Sequence, residues 1–143
     1  MRTRIPKKEI DLLGQVSLFA GCSQAELRSI AQFGSAIYPV PGIRLTKQGE
    51  PGQEFFLVVD GEASCKVGSK EVARFTAGGY FGELALLSNG YRTATVESVT
   101  DMELLVLDAR EFRSMLMTNP SIGIKMLARL AERLADADAQ FAI

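Results

Sequence analysis

The sequence predicts an α+β fold: an antiparallel β-roll of jelly-roll type (a double-stranded β-helix), with N-terminal helices before it and two C-terminal helices after it. Three observations predict it. Between about residues 35 and 107, short runs rich in β-branched and aromatic residues alternate with glycine-bearing turns. On either side the apolar residues fall into a helical period, and each flank opens a helix with a capping box. Many short strands at close, regular spacing argue for an antiparallel roll or sandwich rather than a parallel sheet.

The elements follow in order. Lys7 to Leu13 is short and amphipathic, and Gly14 ends it. Ser23-Gln24-Ala25-Glu26 is a capping box, after which Leu27, Ile30 and Ala31 give one apolar face and Gly34 the stop. The strands expected next are Phe55–Val59, Ala63–Val67, Val72–Phe75, Thr93–Val99 and Met102–Leu107. Pro41-Gly42, Asp60-Gly61, Gly68-Ser69 and Gly78-Gly79 supply the turns. Asp108-Ala109-Arg110-Glu111 is a second capping box, opening a helix with Phe112, Met115 and Leu116 on its apolar face. Asn119-Pro120 starts the last helix, with Asn119 as N-cap and Pro120 at the first helical position. In that helix Leu127, Leu130, Leu134, Ala137 and Phe141 recur at spacings of three and four, a coiled-coil-like seam that suits core packing or a second copy of the chain. The expected division is one domain, 1–143: N-terminal helices over 1–34, the roll over 35–107, and C-terminal helices over 108–143.

Composition narrows the function. A chain of 143 residues suits one domain and buries roughly two-thirds of its unfolded surface. A formal net charge of −1 predicts no general attraction to nucleic acid or anionic lipid. Cys22 and Cys65 fit buried or free thiols better than a disulfide framework, no secretory signal follows the basic start, and no apolar run approaches membrane-spanning length. The expected setting is reduced cytoplasm. Histidine is absent, which removes the commonest general base and the commonest metal ligand together. No acid pair or metal-ligand pattern replaces it, so neither catalysis nor a metal site is expected.

The segment 81–96, FGELALLSNGYRTATV, carries the chemistry. It sets one acid, Glu83, and one base, Arg92, in an otherwise small, apolar or neutral polar run. Gly82 admits close backbone approach, and Glu83 to Leu87 can form a helical turn whose first N–H groups lack internal partners. Small Ala85 keeps that approach open. Arg92 can give a planar, bidentate contact to two phosphate oxygens. An ionised Glu83 only accepts hydrogen bonds and repels a phosphate, so it makes sense where the ligand also offers a hydroxyl. Ribose and phosphate in one compact molecule meet both needs. An ordinary surface ion pair between the two, worth about 0–1 kcal/mol, is the competing explanation.

The segment resembles the phosphate-binding cassette of cyclic nucleotide-binding domains: Phe81-Gly82-Glu83-Leu84-Ala85-Leu86-Leu87, then Tyr91-Arg92-Thr93-Ala94-Thr95-Val96. Upstream, Gln48 to Gly61 resembles the family's strand-turn-strand signature, and the order of helix, roll, helix, helix matches over nearly the whole chain. The likeness is to domains of the catabolite activator protein and cAMP-dependent kinase regulatory subunit type. It implies that Glu83 accepts from the ribose 2′-OH, that Gly82, Leu84 and Ala85 offer backbone groups to ribose and phosphate, that Arg92 neutralises the cyclic phosphate, and that Thr93 and Ala94 complete the site. Tyr91 stands where the family commonly has proline, a departure expected to loosen the backbone before Arg92.

Beyond that, the resemblance implies a sensor or regulatory domain for cAMP in preference to cGMP, with no other cofactor. Thr93 could bond the phosphate or a guanine amino group. Leu134 and Phe141 are candidates for an apolar lid over the base. The ligand would reposition the C-terminal helices, to be read by an effector protein or by a second copy pairing through the last helix. No helix-turn-helix, kinase, cyclase or channel segment is recognisable, so the expectation is a free-standing sensor or a fragment of one. A degenerate member of the fold that only contacts proteins is the alternative. A cupin-type enzyme, which would share the roll, lacks its usual histidines here.

Overall fold

The computed structural model describes residues 7–88 and 90–137. Three helical stretches lead: α1 (Lys7–Leu13), a 3-10 turn (Ser17–Phe19) and α2 (Gln24–Phe33). Eight strands follow: β1 (Ser35–Ile37), β2 (Arg44–Thr46), β3 (Glu54–Asp60), β4 (Ala63–Val67), β5 (Lys70–Phe75), β6 (Tyr80–Phe81), β7 (Thr95–Ser98) and β8 (Glu103–Asp108). The short helix α3 (Glu83–Leu87) interrupts them, and α4 (Ala109–Thr118) and α5 (Pro120–Ala137) come last. The strands make two four-stranded antiparallel sheets, ordered β1-β8-β3-β6 and β2-β7-β4-β5. This is the expected β-roll with its flanking helices.

Strands β3 and β8 explain how one sheet serves two cores. Their apolar runs are continuous, EFFLVVD and ELLVLD, as expected of strands buried on both faces. Successive side chains point to opposite faces, so Phe55, Leu57, Leu105 and Leu107 meet the helices. Phe56, Val58, Leu104 and Val106 point into the roll, against Phe81, Cys65, Ala63 and Val96. The helical core adds Leu13, Leu27 and Ile30 from α1 and α2, Phe112 and Met115 from α4, and Ile122 and Met126 from α5. Phe55 and Phe112 meet in a tilted contact, 4.9 Å between centroids, joining β3 to α4.

Both capping boxes form. Ser23 Oγ accepts from the Glu26 N–H at 3.1 Å and Glu26 accepts from the Ser23 N–H at 3.0 Å. Asp108 and Glu111 repeat the exchange at 2.7 and 2.8 Å. Such caps satisfy orphan donors and each contributes about 1 kcal/mol.

Four details differ from the sequence reading. Gly34 does end α2, but in extended backbone at φ −125°, not in the left-handed conformation of a common glycine cap. Its glycine is needed for space: a Cβ would sit 2.6 Å from Leu105 Cδ1 and 2.8 Å from the Val106 carbonyl. Strands β1, β2 and β6, of two or three residues each, carry too little pattern to be foreseen. The Asn119 side chain donates back to the Met115 carbonyl at 3.2 Å, tying off α4. Finally, α5 turns Ile122 and Met126 to the core and leaves Leu127 and Leu134 exposed. The leucine seam therefore does not pack against the chain's own core, and its last member, Phe141, lies outside the described residues.

Gly34→Ala should cost about 1–3 kcal/mol, because the methyl overpacks the β8 backbone. Urea unfolding monitored by circular dichroism measures this, and an unchanged midpoint would contradict the close approach.

Candidate functional site

The roll delivers the cassette to one end of itself. Strand β6 leads into Gly82, which sits at φ +94°, the left-handed region where a Cβ costs energy. A Cβ there would also lie 2.6 Å from the Glu54 carbonyl and 2.8 Å from Arg92 Nη1. Left-handed Gly82 turns the chain into α3, so that Glu83 and Ala85 are buried while Leu87 is exposed.

Arg92 is held from behind. Segment 90–92 pairs antiparallel with 49–52: the Arg92 N–H donates to the Glu50 carbonyl at 2.8 Å, Gly49 to the Arg92 carbonyl at 2.9 Å, and Gly52 to the Gly90 carbonyl at 2.8 Å. This pairing ties segment 90–92 to 49–52 at the place where the family commonly has proline. The guanidinium lies against Gly52, where a Cβ would overlap its Nε. Phe56, itself stacked on Phe81 at 4.9 Å, places its ring centroid 5.9 Å from the guanidinium carbon. Further along, buried Thr46 Oγ1 donates to the Ala94 carbonyl at 2.9 Å and accepts from the Val96 N–H at 3.1 Å, anchoring the far end of the cassette.

The electrostatics are unusual for a structural ion pair. Arg92 is 7% exposed, yet its one described hydrogen-bond acceptor is the Gly82 carbonyl, at 3.2 Å. No described carboxylate forms a salt bridge with it; Glu54 and Glu83 act on it only at longer range. Burial lowers its pKa from the ordinary value, but a guanidinium stays protonated in a protein. A buried cation without an anionic partner among the described residues is costly, so something anionic is called for.

Glu83 mirrors that situation. It is 2% exposed, and burial raises its pKa above the ordinary 4.5 against the opposing effects of its own backbone N–H and the nearby Arg133 and Arg92. Oε1 accepts from Arg133 Nη1 of α5 at 3.2 Å, while Oε2 is buried with no partner. The Tyr80 hydroxyl is likewise buried and unpartnered. An orphaned carboxylate oxygen fits a ligand hydroxyl.

Gly82, Glu83, Leu84, Ala85, Arg92, Thr93 and Ala94 all line one cavity of about 190 Å³, together with Thr46, Cys65, Val72, Phe75, Tyr80, Phe81 and Arg133. The structure thus brings together every expected contact residue of the cassette. Leu134 is 51% exposed and does not line the cavity, and Phe141 lies outside the described residues. Sequence reasoning missed Arg133, Tyr80 and the role of Gly52. The recurrence of Lys125, Arg129 and Arg133 every four residues was the visible sign that one face of α5 carries cations.

The cyclic nucleotide-binding domain model matches residues 40–119. The cAMP-dependent protein kinase regulatory subunit of Colletotrichum orbiculare is 32% identical over 108 residues, covering 74% of this chain and 28% of that protein. Among solved structures, cAMP-bound PfPKA-R (141–441) superposes with a TM-score of 0.80 at 28% identity, covering 96% of this chain and 47% of the other. The catabolite activator protein of Thermus thermophilus gives 0.78 at 28% identity, covering 87% and 61%. The chain therefore spans between about a quarter and three-fifths of the length of these relatives.

Ionised, buried Glu83 opposes folding at neutral pH. Because its folded-state pKa is raised, its favourable contribution belongs to the protonated form below 4.5 and is lost as pH rises through the folded value. Glu83→Gln should therefore melt at an equal or higher temperature than the parent at pH 7, and that advantage should vanish below 4.5. Thermal melts at both pH values test this; a large loss at pH 7 would contradict it.

Proposed function

The chain belongs to the cyclic nucleotide-binding domain family, and we propose that it binds a 3′,5′-cyclic nucleotide, cAMP in preference to cGMP, as a regulatory or sensor domain. The observation that carries this is the buried Arg92 guanidinium with no described carboxylate partner, facing a cavity. A cyclic phosphate supplies the missing anion, accepting from Arg92 and from the N–H groups of Leu84 and Ala85. The ribose 2′-OH donates to Glu83 Oε2, the oxygen that Arg133 leaves free. Gly82 lets the sugar approach the backbone, and Thr93 and Ala94 close the phosphate side. The base extends toward Cys65 and Val72. That apolar wall offers a purine contact area, and the cAMP-bound solved relative supports the preference for cAMP.

Binding couples to α5 through Arg133. Its guanidinium links the last helix to the carboxylate that grips the ribose, so loading the site changes what holds α5 in place. Moving the helix would bring Leu134, one position on, over the base as a lid. Ile124, Leu127 and Leu134 are 67%, 66% and 51% exposed on the same helix, and they suit pairing with a second copy of the chain or docking on an effector protein. Residues 1–143 act as one domain in this reading, in a cytoplasmic setting. Among the described residues no helix is long and apolar enough to cross a membrane.

Calorimetric titration with cAMP and cGMP tests the proposal. Both should bind, cAMP more tightly. Arg92→Ala should weaken binding about a hundredfold or more, the loss of one charge-assisted pair. Absence of heat and of any thermal shift at millimolar ligand, or an Arg92→Ala variant that binds like the parent, would refute it.

Gly52→Ala should fold normally, since Gly52 is outside the left-handed region, yet weaken cyclic nucleotide binding at least tenfold by displacing Arg92. Equal affinity in this variant would show that Gly52 does not position the guanidinium.

A further inference from the structure

Strand β2 does not complete its ladder with β7, at the place where β7 leaves the cassette. Arg44 pairs with Glu97 and Thr46 with Val96, so the register slips by one residue at Leu45. A bulge of this kind disrupts the ladder locally, and backbone groups beside it need other partners. The Thr46 hydroxyl supplies them. Its Oγ1 accepts from the Val96 N–H at 3.1 Å and donates to the Ala94 carbonyl at 2.9 Å, so one side chain clamps two residues at the exit of the cassette.

Thr46 is one end of a brace that runs behind the cassette. From Gly49 to Gly52 the brace holds residues 90–92 by hydrogen bonds between backbone groups. At 94–96 it relies on hydroxyls instead. The Gln48 N–H donates to Thr95 Oγ1 at 3.0 Å, but that bond is exposed, and water can replace it. Thr46 is 7% exposed and its bond to Val96 is buried, so its loss leaves a buried N–H to bear the full desolvation cost. Thr46 also lines the ligand cavity, with Thr93 and Ala94, and a separate cavity behind Arg92 that Gly52 and Glu54 share. Only Thr93 lies between Arg92 and the clamped Ala94.

We propose that Thr46 is a positioning residue for the cyclic phosphate: its hydroxyl holds the Thr93–Ala94 backbone in place, so that Arg92 and the phosphate side of the cavity meet the ligand together. Thr46 acts through the cassette backbone and not by touching the ligand. Segment 49–52 holds Arg92 from its own position and Thr46 holds the chain two residues on. Between them they fix the direction in which the guanidinium leaves the backbone. The proposal rests on the cyclic nucleotide reading. A purely structural hydroxyl differs in one respect: its loss lowers stability and leaves the affinity of the folded chain unchanged.

Calorimetric titration of the full chain with cAMP tests this in two variants. Thr46→Val nearly keeps the volume and removes the hydroxyl, and Thr46→Ser keeps the hydroxyl. Thr46→Val should raise the Kd about tenfold, as when a displaced backbone weakens one charge-assisted contact. Thr46→Ser should stay within about threefold of the parent, since its hydroxyl can make the same two bonds. In an Arg92→Ala background Thr46→Val should add almost nothing, because both act on one phosphate contact. Equal affinity of Thr46→Val and the parent, an equal loss with and without Arg92, or a Thr46→Ser variant as weak as Thr46→Val overturns the proposal. Circular dichroism checks the fold. Thr46→Ala repeats the measurement if Thr46→Val unfolds, and unfolding of both gives the hydroxyl a role in stability alone and overturns the proposal too. A parent chain that binds no cAMP refutes the cyclic nucleotide reading and the proposal with it; a parent that binds no better than Thr46→Val refutes only the role of Thr46.

Discussion

The structure is organised around keeping one guanidinium out of water without a salt bridge to any carboxylate among the described residues. Arg92 is buried, its single described acceptor is a backbone carbonyl, and an aromatic ring lies below it. Such an arrangement costs energy, since a buried ion needs a counter-charge. It persists because its surroundings are fixed by other means. Three backbone hydrogen bonds pin segment 90–92 to 49–52, and two glycines, Gly52 and Gly82, leave the space that the side chain fills. Glu83 is the complementary case, a buried carboxylate with one oxygen satisfied from α5 and the other idle. Two opposite charges held near each other but not neutralising each other are what a ligand with both a phosphate and a hydroxyl requires.

The double-sided burial of β3 and β8 joins the wall of that site to the helical core. Phe56 lies below Arg92 on the inner face of β3, while its neighbour Phe55 meets Phe112 of α4 in a tilted contact. The α3 turn has the same two-faced character: Glu83 and Ala85 line the cavity, and Leu86 packs against the helical core. Arg133 closes the loop from α5. Packed contacts and one ion pair thus connect the lining of the cavity to the last helix.

Much of this could be read from the sequence where a local rule has a local cause. Capping boxes, continuous apolar strands and glycine turns depend on residues close in the chain, and they stand where expected. The cassette was readable because its chemistry is compact: glycine, acid, small residue, base. What escaped depends on long-range packing. Gly34 is a glycine because β8 passes within 3 Å of where its Cβ would be, which no local pattern reveals. The stripe on α5 was visible as a stripe, but its spacing does not say which face the rest of the fold will cover. Ile122 and Met126 meet α4 and the core, which turns Leu127 and Leu134 outward and Arg133 toward Glu83. Two-residue strands such as β6 exist only because a neighbouring strand supplies their hydrogen bonds.

The account rests on Arg92 waiting for an anion, and a crystal structure of the chain with cAMP tests that most directly. It should show the cyclic phosphate within hydrogen-bonding distance of the Arg92 guanidinium and of the first N–H groups of α3, with the ribose 2′-OH on Glu83. Density for the nucleotide elsewhere, or Arg92 swung out to solvent while the ligand occupies the roll, would contradict it.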